Sequence, residues 1–264
     1  MHRLALILAC LAAPAFADVT VTSVSDKDGQ PWSVTYIAGG KIRTESLRGP
    51  EPSYMLWQVG SQQMTVVMPK RKSYMIMDKA QISAQMAQVN EQMKQMEAQL
   101  ASLPAEMREM MKKQMPNMGT GKPLIEMKVT KTGKSASKGG YTCQMVDIAI
   151  TGMPMAGEAG QEHCVVTGDK LGIASSDIDT VKAMAEFAKS MMKDMGQVVG
   201  GMPDVFEMGG WPVWTREKQS GESYTLKTID KGAVSGALFT VPAGFKEEKM
   251  PSMGDMGGKK KRGG

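Results

Sequence analysis

From Asp18 to Asp78 the chain is written in runs of six to eight residues, and a turn signal closes each run. VTVTSV, WSVTYIA, KIRTESL, YMLWQV, QQMTVVM and KSYMIMD are rich in β-branched and aromatic residues. Between them stand Asp28-Gly29, Gly39-Gly40, Gly49-Pro50, Gly60-Ser61 and Pro69-Lys70. Runs this short cannot hold a helix of ordinary length. Turns about every 8–12 residues predict antiparallel hairpins in a meander. No other feature narrows the fold as much, because six strands side by side already demand a curved sheet.

At Gln81 the hydrophobic period changes. Ile82, Met86, Val89, Met93, Met96, Leu100 and Leu103 recur at intervals of four and three, which predicts one apolar stripe on an α-helix. Pro104 suits the first turn of a second helix or a kink. Met107, Met110, Met111 and Met115 continue the stripe, and Pro116-Asn117-Met118-Gly119 ends it. The period of two then returns in PLIEMKVTKTG, YTCQMVDIAITG and EHCVVTGD. A helix is predicted over roughly 177–195. Ser175 or Ser176 is its cap, and Val181, Met184, Ala185, Ala188, Met191, Met192 and Met195 form its apolar face. WPVWTRE, SYTLKTID and ALFTVPAGF read as the last strands.

The order is therefore six strands, a helical insertion over about 81–118, three strands, a helix and three strands. This predicts an α+β fold. A strongly curved antiparallel sheet of about a dozen strands would form a half-barrel, because open sheets of that size curl. Amphipathic, Met-rich helices would occupy its concave face. One domain over 18–249 is expected. The basic, low-complexity segment 250–264 reads as a disordered tail.

The first seventeen residues carry a basic Arg3, an apolar run from Leu4 to Ala13 and the A-x-A site Ala15-Phe16-Ala17. They read as a cleaved signal peptide, with the mature chain beginning at Asp18. Ile7-Leu8-Ala9-Cys10 offers a rival lipobox with Cys10 lipidated, but it leaves roughly six apolar residues where about seven are needed. The mature chain keeps Cys143 and Cys164. In an exported chain an even pair reads as a disulfide. Together these features place the protein in the periplasm. No later apolar run approaches about 18 residues, so no transmembrane segment is expected.

The net charge of +5 includes four cations at Lys259, Lys260, Lys261 and Arg262. The body is thus near neutral, which argues against a nucleic-acid groove. The tail is suited at most to weak contact with a membrane surface. No nucleophile elbow, P-loop, zinc-protease or dinucleotide fingerprint is present, and His163 is the single histidine of the mature chain. The sequence points to no enzyme and no cofactor.

Two ligand chemistries fit the 27 methionines. Flexible thioether walls adapt to greasy ligands. The residues placed as a lining are Trp32, Tyr36, Met55, Trp57, Met64, Val66 and Met75 on strands, with Met93, Met96, Met184 and Met191 on helices. The alternative is Cu(I), for which thioethers are suitable soft ligands. Met107, Met111, Met115 and Met118 stack along one helical face, with Met253 and Met256 in the tail as further thioethers. A third alternative is an interaction module that docks an envelope protein and holds no small ligand.

Gly40, Lys41 and Arg43, followed by Pro69, Lys72 and Tyr74, form a pattern that resembles an uncharacterised family of exported bacterial proteins. Gly140, Tyr141 and Cys143, and then Phe239, Pro242, Gly244 and Phe245, extend it. That family is similar in fold to the lipoprotein carriers LolA and LolB. The resemblance implies a periplasmic half-barrel that holds a hydrophobic ligand or acyl chain, in the service of envelope maintenance, without catalytic residues.

Overall fold

The structure is a computed structural model that describes residues 18–48, 51–61, 63–104, 107, 125–151, 159–194, 199–200 and 207–249. The six predicted hairpin strands are present as β1 (Val19–Ser25), β2 (Pro31–Ala38), β3 (Lys41–Ser46), β4 (Ser53–Gln58), β5 (Gln63–Met68) and β6 (Ser73–Asp78). The loop between β2 and β3 is two glycines, Gly39 at φ 53° and Gly40 at φ 74°. Both left-handed positions of a tight hairpin turn need a residue without Cβ strain. The helix α1 (Lys79–Ser102) follows, and it stops two residues before Pro104. Then come β7 (Ile125–Lys138), β8 (Tyr141–Thr151), β9 (Ala159–Val166) and the helix α2 (Ser175–Asp194). The chain ends with β10 (Val199–Gly200), β11 (Trp211–Glu217), β12 (Ser223–Lys231) and β13 (Lys246–Glu247).

All thirteen strands join one sheet in the order β10-β7-β8-β9-β11-β12-β1-β2-β3-β4-β5-β6-β13. The first strand is therefore central, paired with β2 on one side and β12 on the other. Two-residue strands at the ends, β10 on β7 and β13 on β6, run parallel to their neighbours.

These findings correct the expected class. The chain is sheet-dominated and its sheet is mixed; it is not an α+β half-barrel with Met-rich helices on a concave face, and it is not a closed barrel. Reach explains why. At about 4.8 Å per strand the sheet is roughly 58 Å across, whereas the 20 residues of α2 make a rod about 30 Å long. The two described helices cover only part of such a sheet. β7 runs on through Thr132-Gly133 as a bulge, with the β8 register shifting between Lys131 and Ser135. One further expectation fails locally. ALFTVPAGF is not a strand: it is a short 3₁₀ turn at Gly236–Phe239 and an extended segment, where Pro242 lacks the N–H a ladder needs. Residues 108–118 of the predicted second helix lie outside the described residues.

Register shows which side chains share a face. Ile37, Ile42, Trp57, Met64 and Met77 form a row across five strands. Val181, Phe187 and Met191 of α2 and Ile82 of α1 bury that row. Each such side chain contributes about 1.5–3 kcal/mol by leaving water. The opposite face of β4 and β5 presents Tyr54, Leu56 and Val67, and the segment carrying Val241 and Phe245 covers them. Arg43 pins that segment by donating to the Leu238 carbonyl at 2.8 Å while its guanidinium lies 3.6 Å over the Tyr54 ring. A further cluster surrounds the Cys143–Cys164 disulfide, whose Cα atoms are 5.4 Å apart on β8 and β9.

Candidate ligand-binding site

A bulge builds the site. On β1 and β2, Ser23 pairs with Ser33 and Val24 with Pro31, which leaves Trp32 as the extra residue. Bulges re-aim the side chain they carry. The Trp32 ring stacks on Tyr224 of β12, with centroids 4.3 Å apart and planes 11° apart. Burial is the leading reason that the Tyr224 phenol titrates above its ordinary range, and its hydrogen bond to Glu217 adds to the shift. The ring is neutral at any physiological pH.

Beside this pair lies a cavity of about 270 Å³ between α2 and the sheet. Its apolar walls are Val21, Ile42 and Leu226 from the sheet, Val181 and Met184 from α2, and the indole of Trp211. Ser23, Ser33, Thr35, Thr44 and Thr215 add hydroxyls. Thr35 and Thr44 face each other with oxygens 3.3 Å apart. No carboxylate, ammonium or guanidinium lines this cavity among the described residues. The site is suited to an uncharged, largely apolar molecule.

His163 supports one wall. It is buried beside Thr215 on the paired strands β9 and β11. Gln161 Oε1 accepts from Nε2–H at 3.1 Å, so Nδ1 accepts from the Thr215 hydroxyl at 2.9 Å. Burial pulls the imidazole pKa down to about 4, against a smaller upward pull from Asp147. His163 is therefore a neutral structural group that fixes Thr215.

The residues singled out from sequence fall into four groups. Trp32 and Met184 line the cavity. Trp57, Met64 and Met191 are buried in the adjoining core, with Met55 partly buried against it. Val66 and Met75 pair in register with Met55 and share its face. Tyr36 is on the other face of β2 from Thr35, paired with Arg43, where burial first and then Glu45 push its phenol pKa up. Met93 and Met96 lie on α1, and their side chains fall outside the described set. Of the Cu(I) set, Met107 is exposed; Met111, Met115 and Met118 lie outside the described residues. Sequence reasoning missed Trp211 and Tyr224 as cavity residues. Both are aromatics on late strands, Trp211 on β11 and Tyr224 on β12, which come beside the cavity because β12 pairs with β11 on one side and on the other with β1, over 190 residues away in the chain.

No family model matches the chain, and no curated protein matches it. Among solved structures the chain is similar to an uncharacterized conserved protein from Thermus thermophilus. The TM-score is 0.41 and the identity 5%, over 89% of this chain and 92% of that one. A likeness this slight has no bearing on ligand or activity.

Proposed function

We propose that this chain is an exported, non-enzymatic binding protein of the periplasm that holds a lipid or other hydrophobic molecule between α2 and the sheet. The observation that carries the reading is the cavity beside the stacked Trp32–Tyr224 pair, with apolar walls and no charged lining residue. Flexible Met184 at its roof suits ligands of variable shape. The Cys143–Cys164 bridge supports an oxidising compartment, in keeping with the leader-like first seventeen residues. No described helix is long and apolar enough to cross a membrane. The short motifs that resemble an exported bacterial family with acyl-chain-binding relatives point the same way.

The test is tryptophan quenching by a dibrominated stearic acid added to delipidated protein. Bromine quenches on contact, and two of the four tryptophans, Trp32 and Trp211, line the cavity. Saturable quenching is expected, much reduced when Trp32 and Trp211 are both phenylalanine. Met184→Glu should abolish it, because a carboxylate would then sit over an apolar site. Absence of saturable quenching, or quenching indifferent to these replacements, would refute the proposal.

A further inference from the structure

A second cavity, of about 260 Å³, lies further along the same helix. Its walls include Gly168, Ile178, Lys182 and Gly210, and it shares two walls with the first cavity, Val181 and Trp211. The helix shows how the two are arranged. Ile178, Val181 and Met184 are three residues apart on one face of α2. Ile178 lines only the second cavity, Met184 only the first, and Val181 both. From Ile178 to Met184 the helix rises about 9 Å. Trp211 packs against both the disulfide cluster and the α2 cluster and lines both cavities.

Size and charge narrow the occupant. Sites that hold small molecules run from about 300 Å³ upward. Each cavity alone falls short of that, and the two together lie within the range. The second cavity is also apolar, and its single charged lining residue, Lys182, is paired with Asp179 at 3.4 Å. Two small apolar spaces that share the walls Val181 and Trp211 suit a narrow, flexible ligand better than a rigid ring system. Gly168 gives the Ile178 side chain room to lie against the backbone, since a Cβ there would be 2.6 Å from Ile178 Cδ1.

We propose that one unbranched acyl chain occupies both cavities and passes between them at Val181 and Trp211. The ligand class is then a single-chain lipid, and the second cavity selects for chain length. This rests on the reading that the groove binds hydrophobic molecules.

Native mass spectrometry of the delipidated full chain, with octanoate and with stearate, tests it. A spanning site takes one stearate, whereas two octanoates enter, one to each cavity. Ile178→Phe fills the second cavity. It should weaken stearate by about tenfold or more and reduce octanoate to a single copy whose affinity is unchanged. Two stearates per chain would overturn the proposal. So would stearate affinity unchanged in a normally melting Ile178→Phe protein. Should that variant not fold, the wild-type stoichiometry decides alone. If stearate binds but ignores the second cavity, only this inference falls. If neither acid binds, the hydrophobic-ligand reading falls with it.

Discussion

Reducing the Cys143–Cys164 bridge should cost about 3 kcal/mol. The two cysteines are 21 residues apart in sequence. Closing a loop of that length in the unfolded chain removes roughly 11 cal/mol/K of entropy, or about 3.3 kcal/mol at 25 °C, in the chain-entropy treatment. Against a total stability of about 5–15 kcal/mol that is a large fraction. For a domain of this size it corresponds to a fall in Tm of roughly 6–13 °C. Reduction is the cleanest perturbation, because it leaves both sulfurs in the core. Replacement by alanine adds a packing loss, since Cys143 and Cys164 are only 2% and 0% exposed. The Cys143→Ala/Cys164→Ala protein should therefore be less stable than the reduced wild type by a further 1 kcal/mol or so. Urea unfolding of oxidised, reduced and double-alanine proteins measures all three, with alkylation and mass analysis confirming the thiol state. Equal midpoints for oxidised and reduced protein would refute the reasoning. They would mean that the segment joining β8 and β9 is already ordered in the denatured chain, or that the bridge does not form.

Three other outcomes are expected. His163 has a folded-state pKa near 4 against an ordinary 6.5. The unfolded chain therefore binds the proton first as pH falls. Stability should be full above about pH 6.5 and lost progressively down to about pH 4, by roughly 3 kcal/mol; His163→Gln should flatten that part of a stability-versus-pH curve. Phe187→Ala removes a buried ring from the seam between α2 and the sheet, and a loss of about 3–5 kcal/mol in urea unfolding is expected. Arg43→Ala deletes the donor to Leu238 and the stack on Tyr54. Hydrogen exchange over 236–248 should rise well before that of β1 or β2, and uniform protection would show that the apolar contacts of Val241 and Phe245 hold the segment unaided.

The meander was legible because each of β1 to β6 carries its own evidence, a period of two closed by turn residues. The face of α2 was legible for a similar reason: Val181, Met184 and Met191 recur at helical spacing, and all three pack toward the sheet. The site was legible only in part. Alternation puts Met55 and Trp57 on one face and Tyr36 on the other, once pairing is known, but it does not reveal which face a helix covers. A bulge also misleads alternation. Strict alternation along β2 puts Trp32 and Tyr36 on one face, whereas the extra residue at Trp32 turns its indole into the cavity and leaves Tyr36 on the other side.

Local physics acts over a few residues, and it is at this range that the chain declares its strands, its helical faces and its tight Gly39-Gly40 turn. Each depends on dihedral preference, hydrophobic period or charge within one short window. The neighbours of each strand are another matter. β1 lies between β2 and β12, the sheet's ends take parallel strands, and Trp32, Val181, Trp211 and Tyr224 converge on one cavity from four elements, β2, α2, β11 and β12. Those pairings are chosen by the joint burial of surfaces that no single segment can cover, so only the folded molecule decides them.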